Sequence, residues 1–215
     1  MKNEALDTEV LGQFRVNVFH DEDPRNPRED DNMGRFVMTH RRYQLGDTEK
    51  TLGFKFNANE FDGWDEAEKW LVETVNPVLL RRVSMYDHGG VSISFGSPTC
   101  RFDSGYVGWA YITREQLKWG YGNAVKFWTE DECVKAAQRA LHAELAAYDA
   151  YLSGSVYGFV VEEKKGCDHC GNVSWEEVES CWGFYSTTDA LHEGRDTIHS
   201  IIRQRTPVVD AGEAQ

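Results

Sequence analysis

Three stretches of this chain carry residues whose types and spacing suit chemistry. The first runs over residues 17–47, NVFHDEDPRNPREDDNMGRFVMTHRRYQLGD. It sets Asp21, Glu22, Asp23, Glu29, Asp30 and Asp31 beside Arg25, Arg28, Arg35, Arg41 and Arg42, with His20 and His40 at either end. Carboxylates of this kind suit a hard divalent ion, and arginines with a histidine suit a phosphate, the guanidinium acting as a two-pronged donor. Together they are what a metal-dependent phosphodiesterase or nuclease requires, or a protein that sequesters a phosphorylated nucleotide. Asp21, Asp23 and Asp31 would hold the metal, Arg28, Arg41 and Arg42 the phosphate, and His40 or His88 would move the proton. The spacing does not match a calcium loop. The competing expectation is a network in which these opposite charges pair with one another.

The second stretch is Cys167-Asp-His-Cys170-Gly171. Two cysteines separated by two residues, with glycine just beyond, turn both thiolates toward one point and resemble a zinc knuckle. Spacing supplies only two of four ligands. Cys181 is the third candidate, with His169, His192 or Cys133 as further donors, and any zinc here would be structural. A plain cysteine-bearing turn is the alternative. The third stretch is Tyr86-Asp87-His88-Gly89-Gly90, with Asp103 and Ser104 downstream. An aspartate that orients an imidazole, with Ser104 or Cys100 as nucleophile, would make a hydrolytic site. The same residues also make an ordinary turn. Neither a Walker A loop, a dinucleotide fingerprint nor an H-E-x-x-H helix is present.

The elements that must position these groups follow from periodicity. Phe14, Val16 and Val18 alternate with polar residues as a first strand, and residues 35–39 form a second. Trp64, Ala67, Leu71 and Val75 fall on one helical face, with Asp62 or Asp65 as cap and Asn76-Pro77 as stop. Residues 78–86 and 91–95 read as a hairpin, and residues 106–112 as a further strand. Thr113 with Gln116 and Thr129 with Glu132 are capping boxes. The first opens a short helix carrying Leu117 and Trp119. The second opens the longest helix, with Val134, Ala137, Leu141, Leu145, Tyr148 and Leu152 as its stripe. Residues 156–161 and 173–184 read as antiparallel strands joined by the cysteine tip, and Ser186 with Asp189 starts a last helix.

Hairpins interspersed with helices predict an α+β fold, a mainly antiparallel sheet with three to four helices packed on it. No linker stands out, so a single domain over residues 13–205 is expected, with flexible tails at 1–12 and 206–215. An aromatic content of 13% in 215 residues excludes a disordered chain and allows a substantial core. The formal net charge of −13 argues against nucleic-acid binding over the whole surface and permits a basic protein partner. No apolar run reaches membrane-span length and no leader pattern opens the chain. Five cysteines without such a leader point to reduced thiols in a cytoplasm.

The runs Asp21-Glu-Asp-Pro24, Asp31-Asn-Met-Gly34, His40-Arg-Arg-Tyr43-Gln-Leu-Gly-Asp47, Tyr86-Asp-His-Gly-Gly-Val-Ser-Ile-Ser94, Asp103-Ser-Gly105 and Ser180-Cys-Trp-Gly-Phe-Tyr185 resemble a family of uncharacterised phage, prophage and plasmid proteins. The resemblance covers most of the chain, and the cysteine tip is not part of it. The family carries no assigned activity. The resemblance implies a mobile genetic element as source and the cytoplasm of an infected bacterial host as location. It also implies one shared site lined by the opening loop, the Asp87–His88 turn and the Cys181–Trp182 strand. The leading expectation is an accessory protein that binds a host factor, with host defence among its targets. The candidate binding residues are Asp21, Asp23, Arg28, Asp31, His40, Arg41, Arg42, Asp87, His88, Asp103 and Trp182. The metal candidates are Cys167, Cys170 and Cys181, with zinc as the one cofactor considered. A host protein or a small phosphorylated ligand is the expected partner.

Overall fold

A computed structural model describes residues 4–166 and 171–205. The fold is α+β, and its strands divide between two four-stranded antiparallel sheets. Contacts along the chain group into two units, residues 1–25 with 154–215, and residues 26–153. The boundaries fall inside the charged loop and after the longest helix, at places where composition gives no linker signal.

The first unit is a sheet ordered β1-β2-β7-β8, made of β1 (Asp7–Leu11), β2 (Phe14–His20), β7 (Tyr157–Gly166) and β8 (Val173–Phe184). Residues 1–12, expected to be loose, therefore contain a strand. β1 pairs with β2 from Asp7 opposite Val18 to Leu11 opposite Phe14. The alternation in β2 sends Phe14, Val16 and Val18 to one face, where Phe159 and Val161 of β7 join them. Helix α5 (Thr187–Arg205) covers that face with Ile198, Leu191 and Ile201. Ser186 caps it by accepting the Asp189 N–H at 3.1 Å. Gly194 is the point of closest approach: a Cβ there would lie 2.4 Å from Val16 Cγ2.

The second unit is a sheet ordered β3-β6-β4-β5, from β3 (Arg35–Met38), β4 (Leu79–Asp87), β5 (Val91–Phe95) and β6 (Ser104–Ile112). Both faces of this sheet are covered. Helix α4 (Glu130–Ser153) lays Ala137, Leu141, Leu145 and Tyr148 against Phe36, Val83, Ala110 and Ile112. Helix α2 (Trp64–Val75) lays Ala67 and Leu71, with Phe54, Phe56, Phe61 and Trp70, against Val37, Trp109 and Tyr111. Burial on both sides explains why β6 reads as a nearly continuous apolar run. A bulge opposite Val83 and Ser84 makes Val107 the extra residue and puts it on the same side as Ala110 and Ile112. Gly108 allows this, with φ +150° and no room for a Cβ, which would meet the Val37 carbonyl oxygen at 2.0 Å.

Both capping boxes form. Thr113 opens helix α3 (Arg114–Tyr121), and Thr129 and Glu132 bond reciprocally at the start of α4. The cap expected from Asp62 or Asp65 does not: Gly63 stands at that position without a side-chain bond. A further one-turn helix, α1 (Glu49–Leu52), is capped by Thr48. Among the described residues no helix is long and apolar enough to cross a membrane.

Gly194→Ala removes a glycine from a helix, which alone gains up to about 1 kcal/mol. The clash with Val16 and Phe159 costs about 1–3 kcal/mol. Net destabilisation is expected, read as a lower urea midpoint with unchanged slope.

Candidate functional site

The charged loop is anchored in the second unit by one guanidinium. Asn26 caps a single 3-10 turn, Pro27–Glu29, which directs Arg28 inward. Arg28 Nε and Nη2 donate to the two oxygens of Asp47 at 2.8 and 3.0 Å, Nη1 donates to Glu144 Oε2 at 2.9 Å, and Nη2 also donates to the Gly34 carbonyl at 2.9 Å. Its side chain is 2% exposed, that of Asp47 0%. The ring of Phe36 lies under the guanidinium at 4.2 Å. The carboxylates are also used twice over. Glu144 Oε1 accepts the N–H groups of Met33 and Gly34, and Asp47 Oδ2 accepts that of Phe36. Burial opposes the charge on Arg28, and the hydrogen bonds and charges of Asp47 and Glu144 more than offset it, so its pKa stands above the ordinary arginine value. Read from sequence as a phosphate ligand, Arg28 is instead the fastening of the loop.

A second group lies on the exposed side of the same unit. Arg42 pairs with Asp87, whose other oxygen faces the Tyr43 hydroxyl at 3.4 Å. His40 stacks on Tyr43 with ring centroids 5.0 Å apart, and its Nδ1 accepts the Arg42 N–H at 3.3 Å. Partial desolvation, then the charge of Arg42, hold the His40 pKa below the usual histidine value. Arg41 is exposed. Asp103 stands between two candidates: its Oδ1 is 3.7 Å from His88 Nδ1, and its Oδ2 takes the Cys100 thiol at 3.6 Å. Ser104 Oγ accepts the Cys100 N–H. A hydrolytic triad needs the imidazole between carboxylate and nucleophile. Here the carboxylate occupies the middle, and the 71% exposed His88 side chain sits beyond hydrogen-bond length from it.

The first unit gathers Asp21, Asp23 and Trp182. They border an open groove of about 860 Å³ on the sheet face opposite α5, with His20, Glu22 and Glu177. Its floor is a polar ladder. Arg15 Nε and Asn17 Nδ2 both donate to Glu162 Oε2, and Thr8 Oγ1 donates to Asn17 Oδ1. Asp21 Oδ1 accepts the Asp23 N–H at 3.1 Å, which fixes the acidic turn. The Trp182 indole lies flat over Gly158, where a Cβ would come within 2.2 Å of its ring, and it remains 48% exposed.

Asp31 belongs to another open groove, of about 730 Å³ in the second unit, lined with Glu29, Asp30, Arg35, Glu115 and Trp119. Sequence reasoning missed Glu115 and Trp119. Both Leu117 and Trp119 are expected on the short helix α3, and, two residues apart, they take different faces: Leu117 is fully buried and Trp119 is 62% exposed. Arg35 Nη1 donates to the carbonyls of Asn32 and Gly34. At the back of this groove burial pushes the Tyr111 phenol up to about 12.

Among the described residues no three histidine, cysteine or acidic side chains are arranged to hold a metal ion. Cys167, Cys170 and His169 lie outside the described residues. Of the other zinc candidates, Cys181 is exposed on β8, Cys133 is buried on the core face of α4, and His192 faces Asp196 at 3.5 Å on α5. Comparison of the chain with protein-family models, curated proteins and solved structures finds no match.

Asp47→Ala strands a buried guanidinium and is expected to destabilise the protein by about 3–5 kcal/mol. Arg42→Ala, at an exposed pair, should change stability by less than about 1 kcal/mol in the same urea titration. By NMR the His40 imidazole should titrate below its ordinary value. In Arg42→Gln it should move upward, because a repelling cation is lost and Asp87 is released.

Proposed function

We propose that this chain is a non-enzymatic accessory protein that binds a basic segment of a host protein, and that the groove of the first unit is its principal contact. The observation that carries this reading is the sign of the groove wall. Asp21, Glu22, Asp23 and Glu177 surround an exposed indole, a combination suited to lysine and arginine side chains. Carboxylates meet the charge, and the Trp182 face adds a cation–π contact of about 0.5–1 kcal/mol at an exposed site. The groove of the second unit repeats the chemistry with Glu29, Asp31, Glu115 and Trp119. The net charge of −13 extends the same attraction beyond contact distance and raises the rate of encounter with a basic partner.

The same geometry weighs against the phosphodiesterase and nucleotide-sequestering readings. Both need several cations turned toward one ligand, whereas of the three candidates Arg28 is enclosed by Asp47 and Glu144 and Arg42 is paired with Asp87, which leaves Arg41 as the exposed one. The resemblance to phage and plasmid proteins fits an accessory role within an infected host, with a defence protein as one class of target.

The reading is tested by titrating the protein with an oligolysine peptide while following tryptophan emission. Saturable binding is expected, weakening as salt rises. It should fall at least several-fold in Trp182→Ala and in the double variant Asp21→Asn, Asp23→Asn. Absence of oligolysine binding, together with binding of inorganic phosphate or a nucleotide, would overturn it in favour of a phosphate-directed site.

A further inference from the structure

The two sheets leave four edges, and three are short or already occupied. The outer side of β3 exchanges two bonds with Asp47: Phe36 N–H to Oδ2 at 2.9 Å, and Asp47 N–H to the Phe36 carbonyl at 2.8 Å. On the outer side of β5, the Ile93 N–H donates to Asp149 Oδ1 at 2.6 Å. β1 is five residues long. The fourth edge is β8, twelve residues, with the sequence VSWEEVESCWGF and neither lysine nor proline. Natural edges are usually blunted by shortness, charged side chains, proline, bulges or a covering element, and this one has three glutamates and two bulges. Bulges at Val178 and Gly183 interrupt this one, leaving residues 173–177 in regular register with β7.

The direction in which its peptide groups point follows from the neighbouring strand. Lys164 of β7 donates its N–H to the Gln13 carbonyl at 2.7 Å, so its backbone polar groups face β2. Trp175 lies opposite Lys164 and forms a non-hydrogen-bonded pair with it, so its own N–H and C=O turn to the outer edge. By alternation Val173 and Glu177 do the same, while Ser174 and Glu176 bond to β7. Three donors and three acceptors thus stand in a row along the open edge. The strand carries three carboxylates along this edge, while Arg15 lies over the Trp175 ring at 4.5 Å and Lys164 stands opposite Trp175. Glu176, Glu177 and Glu179 form no ion pair among the described residues, whereas Glu162 and Glu163 on β7 are matched by Arg15, Lys165 and Arg205.

We infer that the β8 edge at Val173, Trp175 and Glu177 is a docking site for an extended, lysine- or arginine-bearing segment of a partner protein, which adds to the sheet as a fifth strand. This rests on the proposed binding of a basic partner and names how that partner is held. Main-chain bonds give such additions their affinity, and alternate side chains give their specificity. Charge selects the occupant. A second copy would bring two sets of the same three glutamates onto one seam, whereas a basic strand neutralises them. Glu177 also borders the groove with Trp182, so one segment can satisfy both.

The probe is an alternating lysine–valine peptide added to the full chain, with amide hydrogen exchange read residue by residue. Exchange is expected to slow several-fold or more at Val173, Trp175 and Glu177, with little change at Ser174 and Glu176. The protection should vanish when the peptide is N-methylated at alternate residues along one edge. Val173→Pro, which removes an outward N–H at the first residue of the strand, should weaken this peptide several-fold and leave the oligolysine response of the groove unchanged. Binding of the peptide without protection at the three outward amides overturns the strand addition and leaves the acidic groove standing. Failure of every cationic peptide to bind removes both. Concentration-dependent dimerisation that protects the same amides without peptide replaces the partner strand with a second copy.

Discussion

The second unit depends on a single buried guanidinium. Arg28 reaches from a single 3-10 turn in the charged loop to Asp47, nineteen residues ahead, and to Glu144 on the longest helix. Taking three charges out of water is costly, and the arrangement is sustained because nearly every polar atom is answered. The two oxygens of Asp47 take the fork, Glu144 takes the remaining edge together with two backbone N–H groups, and the Gly34 carbonyl closes the set. Among the described residues no buried side-chain nitrogen or oxygen is left without a partner. The network joins loop, strand and helix at one point, so the edge of β3, the turn at Gly46 and the position of α4 are set together. Tyr148 adds to the same node by accepting the Gly46 N–H.

That constraint also decides what the charged loop presents. With Arg28 and Asp47 turned inward, the groups left at the surface are mostly carboxylates: Glu29, Asp30 and Asp31 on one unit, Asp21, Glu22 and Asp23 on the other. Each set stands beside a tryptophan that its own secondary structure leaves exposed, Trp119 on α3 and Trp182 on β8. A loop already net acidic in sequence, with seven carboxylates against five arginines, stays so at the surface, because the fold internalises Arg28 with Asp47 and pairs Arg42 with Asp87.

The first unit shows a different economy. Its sheet is covered on one face by α5, and the other face carries a satisfied polar ladder rather than a second helix. Such a sheet stays wet on one side and keeps a long edge at β8. In the second unit both faces are covered and two edges are closed by aspartate side chains, Asp47 and Asp149. The contrast leaves one sheet face and one long edge uncovered in the first unit among the described residues, and covers both faces in the second.

Much of this was written locally. Strand periodicity placed β2, β5 and β8, the paired threonine boxes placed α3 and α4, and alternation with hairpin spacing indicated α+β, because these depend on residues within a turn or two of one another. Local sequence also marked the acidic turn at 21–23. It did not distinguish Arg28 from Arg42, since both sit in similar runs, and only contacts over 19 and 116 residues bury the first. It placed Leu117 and Trp119 on one short helix without telling which of them the fold would cover. It read a loose start where β1 pairs with β2. It set Asp87 and His88, with Asp103 downstream, beside Ser104 or Cys100 as nucleophile, and tertiary structure put the Asp103 carboxylate between His88 and Cys100. Amino-acid order fixes propensity, period and charge inventory. Which charges are neutralised, which indoles stay wet and which strand edge stays open are decided by long-range packing, whose partners are distant in sequence.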